Sequence, residues 1–133
     1  MTTVVGYHHV SLSVSNLARS TEWYQRVLGL DIIAHIEGNT FSRTRLGFPD
    51  GDHTFTLTCH RDRSKLPFNE RQVGLDHIAF RVAVLEDLYE LVNRLASGNI
   101  ENSGLKAFSD GGAVVTLRDP DDIQLEMYFR APG

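Results

Sequence analysis

The sequence predicts an α+β fold built from two βαβββ repeats, whose sheets would close on each other as a half-open barrel around a cleft. Three observations predict it. A strand pattern that begins at His9 returns at His77, 68 residues later, and Leu17 is matched by Leu85 at the same offset. A helical pattern follows each strand, and three short strand patterns separated by turn residues follow each helix. A repeat of about half the chain's length implies that neither half covers its apolar face alone and that each pairs with its twin.

From His9 to Asn16 the apolar residues Val10, Leu12 and Val14 alternate with His9, Ser11 and Ser13, the pattern of a half-buried strand. Asn16 can accept a hydrogen bond from an orphan N–H of a following helix, expected over residues 17–28. Gly29 supplies the left-handed residue that ends it. Leu17, Trp23, Tyr24, Val27 and Leu28 form its apolar side, so Trp23 and Tyr24 are read as core. Strands are expected near residues 31–37, 40–47 and 53–60, with turns at Gly38-Asn39 and Pro49-Asp50-Gly51. The charged stretch 61–74, which contains Pro67, reads as a linker. The second repeat then runs through a strand from His77, a helix over 85–96 ending at Gly98-Asn99, and strands near 105–108, 113–118 and 123–129. One domain over residues 1–133 is expected, with repeat one at about 6–60 and repeat two at about 75–129.

Bulk properties narrow the function. The net charge is −4 and the 13 Lys and Arg are scattered, which argues against nucleic acid as a partner. The start MTTVVGYHHV lacks the basic-then-apolar order of a secretory signal, and no apolar run reaches membrane-spanning length. A cytoplasmic protein without a membrane partner is expected. A single cysteine, Cys59, agrees with a reducing compartment and is a weak candidate nucleophile.

The chemistry concentrates on one face. His9 and His77 open the first strand of each repeat, on the side opposite Val10, Leu12, Val14 and Ile78, Phe80, Val82. In the last strand Gln124, Glu126 and Tyr128 alternate with Ile123, Leu125 and Met127, so Glu126 lies on the polar face as well. A carboxylate inside a cleft is costly unless a charge or metal meets it. Two imidazoles and one carboxylate with open positions suit Fe(II), Mn(II), Ni(II), Co(II) or Zn(II) and leave room for substrate oxygens. The repeat brings equivalent positions together near a pseudo-twofold axis, and for that reason His9, His77 and Glu126 are the candidate ligands of one divalent ion per site. His8 is expected to point away from His9, and His35, His53 and His60 are read as surface or rim residues.

These features resemble the vicinal-oxygen-chelate superfamily of glyoxalase I, methylmalonyl-CoA epimerases, fosfomycin-resistance thiol transferases, extradiol dioxygenases and bleomycin-sequestering proteins. The resemblance runs from about Tyr7 to Tyr128. It is carried by the stretch from His9 to Leu17, Ser20 to Tyr24 into Val27-Leu28-Gly29-Leu30, Leu75-Asp76-His77-Ile78-Ala79-Phe80, and Asp119-Pro120-Asp121-Asp122 before Leu125-Glu126. It implies the same three ligands, with Glu126 also catalytic. In glyoxalases and epimerases a fourth ligand, Glu or Gln, stands in the last strand of the first half; parity puts Thr56 there, which is no general base at neutral pH. Where extradiol enzymes carry an acid-base Tyr, Thr116 stands, and Ala113-Val114-Val115-Thr116 is more apolar than the matching strand of the fosfomycin enzymes. The usual Asp-Pro-Asp-Gly turn ends here in Asp122, which tolerates left-handed backbone better than most residues.

The resemblance thus implies a metal-dependent lyase, isomerase or dioxygenase that chelates a small oxygen-bearing substrate, working as a homodimer. The alternative is a non-catalytic, drug-sequestering protein of the bleomycin-resistance kind. Substrate contacts are expected from Thr56, Thr116 and Tyr128. Arg43 and Arg45 alternate with each other and share a face with Phe41; they meet an anionic substrate if that face is the concave one, and are solvated strand charges otherwise.

Overall fold

The protein is seen in a computed structural model that describes residues 3–49, 51 and 53–133. The expected turn at Asp50 therefore lies partly outside the described residues. The element order is β1 (His9–Ser13), α1 (Leu17–Leu28), β2 (Asp31–Glu37), β3 (Phe41–Gly47), β4 (Thr54–His60), β5 (Ile78–Arg81), α2 (Leu85–Ser97), β6 (Lys106–Ala107), β7 (Ala113–Arg118) and β8 (Gln124–Phe129). This is βαβββ written twice. The chain divides between Lys65 and Leu66 into two compact units, each with one four-stranded sheet and one helix.

The first sheet has the strand order β1-β4-β3-β2, with β1 parallel to β4 and the other pairs antiparallel. Helix α1 forms where its caps say it should. The Asn16 side chain accepts from the Arg19 N–H at 3.0 Å, and Gly29 takes the left-handed φ of 72° that lets its N–H reach the Gln25 carbonyl. The helix lies against β3 and β4. Its Tyr24 is fully buried, with the Phe55 ring of β4 at 5.2 Å and the Trp23 ring at 5.0 Å. Leu12, Leu46 and Leu57 complete the apolar face beneath it. A polar bridge crosses the same layer: Thr21 Oγ1 donates to Thr44 Oγ1 at 3.1 Å, and Thr44 meets His35 Nδ1 at 2.9 Å.

The second sheet repeats the order as β5-β8-β7-β6, again with its first pair parallel. Leu88, Leu91 and Leu95 of α2 are buried, and the helix lies against β7 and β8, whose Val115, Leu117, Leu125 and Met127 are buried in turn. Val84 caps α2 without a side-chain bond, and Glu86 and Asp87 in the first turn supply negative charge to the exposed N–H groups instead. At the other end Asn99, not Gly98, takes the left-handed conformation, with φ 54°. The Asn99 N–H then reaches Ala96 O and the Ile100 N–H reaches Leu95 O, which satisfies two of the terminal carbonyls.

Candidate metal-binding site

Strand register decides which side chains share a face. In the first unit Ser11 pairs with Thr56 and Ser13 with Thr58, while Arg43 pairs with Thr58 and Arg45 with Thr56. His9, Ser11, Ser13, Thr54, Thr56, Thr58, Arg43, Arg45 and Phe41 therefore line one side, opposite the face that α1 covers. Arg43 and Arg45 thus share the face of His9. Arg43 is held there: its Nε donates to Thr58 Oγ1 at 2.8 Å, and its guanidinium lies 4.4 Å from the centre of the Phe41 ring. Thr58 also meets Ser11 Oγ at 2.8 Å. Thr56 is buried, and its hydroxyl is turned to the backbone, 3.4 Å from Val10 O.

The expectation for His8 is corrected. Its Nδ1 lies 2.9 Å from His9 Nδ1 and the two rings meet edge to face. Alternation holds within a strand, and His8 precedes the first residue of β1. One imidazole must donate to the other, so His9 Nδ1 is engaged and its Nε2 is left for other partners.

In the second unit Ala79 pairs with Glu126 and Arg81 with Tyr128, while Thr116 faces Glu126 across β7 and β8. His77 stands two residues before Ala79, just ahead of β5, and is brought to Glu126: Nε2 to Oε2 is 3.6 Å. On its other side the imidazole Nδ1 lies 2.7 Å from Asp76 Oδ2. An ionised carboxylate only accepts, so Nδ1 carries a proton, and the other ring nitrogen, Nε2, is the one that faces Glu126. The hydrogen bond that His77 donates to Asp76 is the main cause that raises the His77 pKa; partial burial opposes it and the charges of Glu126 and Asp76 add to it. The Glu126 side chain is only 13% exposed. Its charge is also the main cause that raises the Tyr128 pKa, helped by desolvation and a shared hydrogen bond. The Tyr128 ring stacks on Phe108 at 5.9 Å.

These observations test whether the residues fit the metal that the superfamily resemblance implies. A carboxylate oxygen and an imidazole nitrogen on one ion at about 2.0–2.2 Å each are held roughly 3–4 Å apart. The His77–Glu126 spacing falls in that interval, and Asp76 makes the outer contact that fixes a ligating imidazole. The donor set fits. Among the described residues no three His, Cys, Asp or Glu side chains form a group that could hold a metal ion; His9 is in the first unit, His77 and Glu126 in the second.

Sequence reasoning missed four residues around this centre. Asp76 stands beside His77 in a stretch that carries the resemblance, but no role was read for it. Gln124 and Arg118 could be placed on the face by alternation, but their bonds to other strands could not. Glu70 lies in the stretch read as a linker, and nothing nearby in sequence marks it. Its carboxylate meets Arg118 Nη2 at 2.7 Å and Nη1 at 3.5 Å, so Arg118 holds the Glu70 pKa down at about 2 from 4.5. A depressed carboxylate adds stability in full above the unfolded value and loses it as pH falls through the folded one. The stability difference between wild type and Glu70→Gln, followed by urea unfolding, is expected to be constant above pH 4.5 and to vanish toward about 2. A difference that persists unchanged through this window would contradict the pairing.

At the turn before β8, Asp122 takes φ 66°, as expected of the residue standing where glycine is usual. Asp119 Oδ1 accepts from the Asp121 and Ile123 N–H groups at 2.9 Å each, which fixes the entry of β8 and so the position of Glu126.

A family model described as the Glyoxalase/Bleomycin resistance protein/Dioxygenase superfamily matches residues 6–127, and the chain belongs to that superfamily. It is similar to the metallothiol transferase FosB of Staphylococcus epidermidis, 32% identical over 80 residues that make up 60% of this chain and 51% of that protein. The protein of the same name from Staphylococcus haemolyticus is 31% identical over equal shares. The chain thus spans about half the length of the curated relatives it matches. Among solved structures, a glyoxylase/bleomycin resistance protein/dioxygenase domain from Frankia sp. EAN1pec is 30% identical, covering 98% of this chain and 96% of that one at a TM-score of 0.90. The fosfomycin resistance protein FosX from Listeria monocytogenes, solved with Mn(II) and sulfate, shares the fold at a TM-score of 0.70 and 17% identity, over 97% and 95% of the two chains. No described helix is long and apolar enough to cross a membrane.

Proposed function

We propose that the chain is a divalent-metal-dependent enzyme that binds a small oxygen-bearing substrate through two adjacent oxygens at the ion. The observation that carries this reading is the pairing of His77 Nε2 with Glu126 Oε2 at 3.6 Å, with Asp76 holding the imidazole from behind. In this reading His77 and Glu126 provide two donors and His9 the third, to Fe, Mn, Ni, Co or Zn. The bound ion supplies Lewis acidity, which stabilises negative charge that develops on a substrate oxygen. The chain's own residues do the rest. Asp76 keeps His77 in the ligating tautomer. Tyr128, its pKa raised beside Glu126, stays protonated at neutral pH and offers a donor rather than a base. Arg43 and Arg45 meet an anionic group of the substrate.

Thr56 bears on the reaction type. Its hydroxyl is turned to Val10 O, and it has no carboxylate with which to take a proton from carbon. The reading therefore favours polarisation of a substrate oxygen and attack by a nucleophile over a glyoxalase-type proton transfer. The likeness to proteins named metallothiol transferases supports a reaction of this metal-assisted kind. The test is to strip the purified chain of metal and titrate it with Mn(II), Co(II) or Zn(II) by calorimetry. One ion per site is expected; no stoichiometric uptake of any of the three would sink the reading.

A further inference from the structure

The geometry points to Arg118 and Gln124 as positioning residues for Glu126, joined in one hydrogen-bonded relay that starts at Glu70. The inference rests on the metal-binding role proposed for Glu126. Arg118 and Gln124 stand directly opposite each other across β7 and β8. Arg118 Nη2 donates to Gln124 Oε1 at 3.3 Å, and Gln124 Nε2 donates to Glu126 Oε2 at 3.3 Å. The direction of this relay is not free. A guanidinium has donors only, so the amide oxygen must face Arg118 and the amide N–H₂ must face Glu126. Without Arg118 the amide of Gln124 can turn over, and its oxygen would then oppose the carboxylate.

Arg118 is itself pinned. Nη2 divides its two N–H groups between Glu70 Oε1 and Gln124 Oε1. Nη1 meets Glu70 Oε2 at 3.5 Å and donates to the Asp122 carbonyl at 2.9 Å, with the Asp122 carboxylate at 3.8 Å. The four terminal N–H groups are thus committed, and a planar fork held at that many points does not swing away. The same Oε2 of Glu126 that Gln124 holds is the oxygen that faces His77 Nε2. The relay therefore aims that oxygen, whereas a surface ion pair alone would have no effect on it.

The experiment is Mn(II) titration of the purified full chain, comparing wild type, Gln124→Met, Arg118→Met and the double variant, with thermal unfolding measured alongside. Outer partners of a ligand are worth about 10–100-fold in metal affinity, so each single variant is expected to lose about tenfold. Because Arg118 acts through Gln124, Arg118→Met is expected to cost nothing further in the Gln124→Met background. A merely structural role would lower the unfolding temperature and leave this non-additivity absent. If Arg118→Met does not fold, Glu70→Gln combined with Gln124→Met makes the same comparison. Gln124→Met binding as tightly as wild type, or losses that add in the double variant, overturns the relay alone. A wild type that takes up no Mn(II) overturns the metal reading and the relay with it, which is a different result.

Discussion

Replacing His77 with alanine is expected to abolish stoichiometric metal uptake while leaving the fold intact. The side chain is 38% exposed, so its loss opens no cavity in the core, and unfolding temperature should move little. What is lost is the nitrogen facing Glu126 Oε2 at 3.6 Å. Affinity for Mn(II) or Co(II) should fall by more than the roughly 10–100-fold that an outer partner commands, because a ligand is removed rather than loosened. Asp76→Asn makes the graded comparison. Its amide oxygen can still accept from Nδ1 but carries no charge, so a loss of about tenfold is expected. His9→Ala should match His77→Ala if His9 is the third donor. Calorimetric titration and elemental analysis of the purified variants check all three, and full metal content in His77→Ala would refute the assignment.

Phe55→Ala is expected to have the largest effect on stability. Phe55 is 1% exposed, on the face of β4 that α1 covers, with the fully buried Tyr24 ring 5.2 Å away. Truncating a buried phenylalanine costs about 3–5 kcal/mol, which includes the cavity left when neighbours relax only in part. The aromatic pair adds about 0.5–1.5 kcal/mol beyond area. Against a total stability of about 5–15 kcal/mol this brings the first unit close to unfolding. Trp23, the protein's one tryptophan, packs on Tyr24 and reports the transition by fluorescence in a urea titration. Ser11→Ala, on the exposed side of the same sheet, should cost no more than about 1 kcal/mol. Equal midpoints for the two variants would mean that the helix-facing layer does not hold the first unit together.

Much of the fold was legible because its signals are local. Asn16 and Gly29 bracket α1 by hydrogen bonds that reach three or four residues, so the helix ends could be read from residue types alone. Alternation placed Glu126 and Tyr128 on one face and Leu125 and Met127 on the other without knowledge of any neighbour. The same rule failed for His8, which lies outside the strand and whose ring comes to His9. It also left β6 too long: residues 105–108 were expected and only Lys106–Ala107 pair. A two-residue strand carries no periodicity to read. The orientation of Arg43 and Arg45 stayed open because two faces of an isolated strand are equivalent until a helix covers one.

The sequence by itself determined the repeated βαβββ order, the caps of α1 and the sorting of each strand into apolar and polar faces. These follow from backbone geometry and solvent preference over a few residues. Only the tertiary structure decided which polar residues meet. The parallel pairing of β5 with β8 brings His77 to Glu126, and the pairing of β7 with β8 sets Arg118 against Gln124. Glu70, 48 residues from Arg118 in sequence, folds back onto it. Register between strands far apart in the chain is set by how their buried faces pack under a helix, a cooperative outcome that no short stretch of residues encodes.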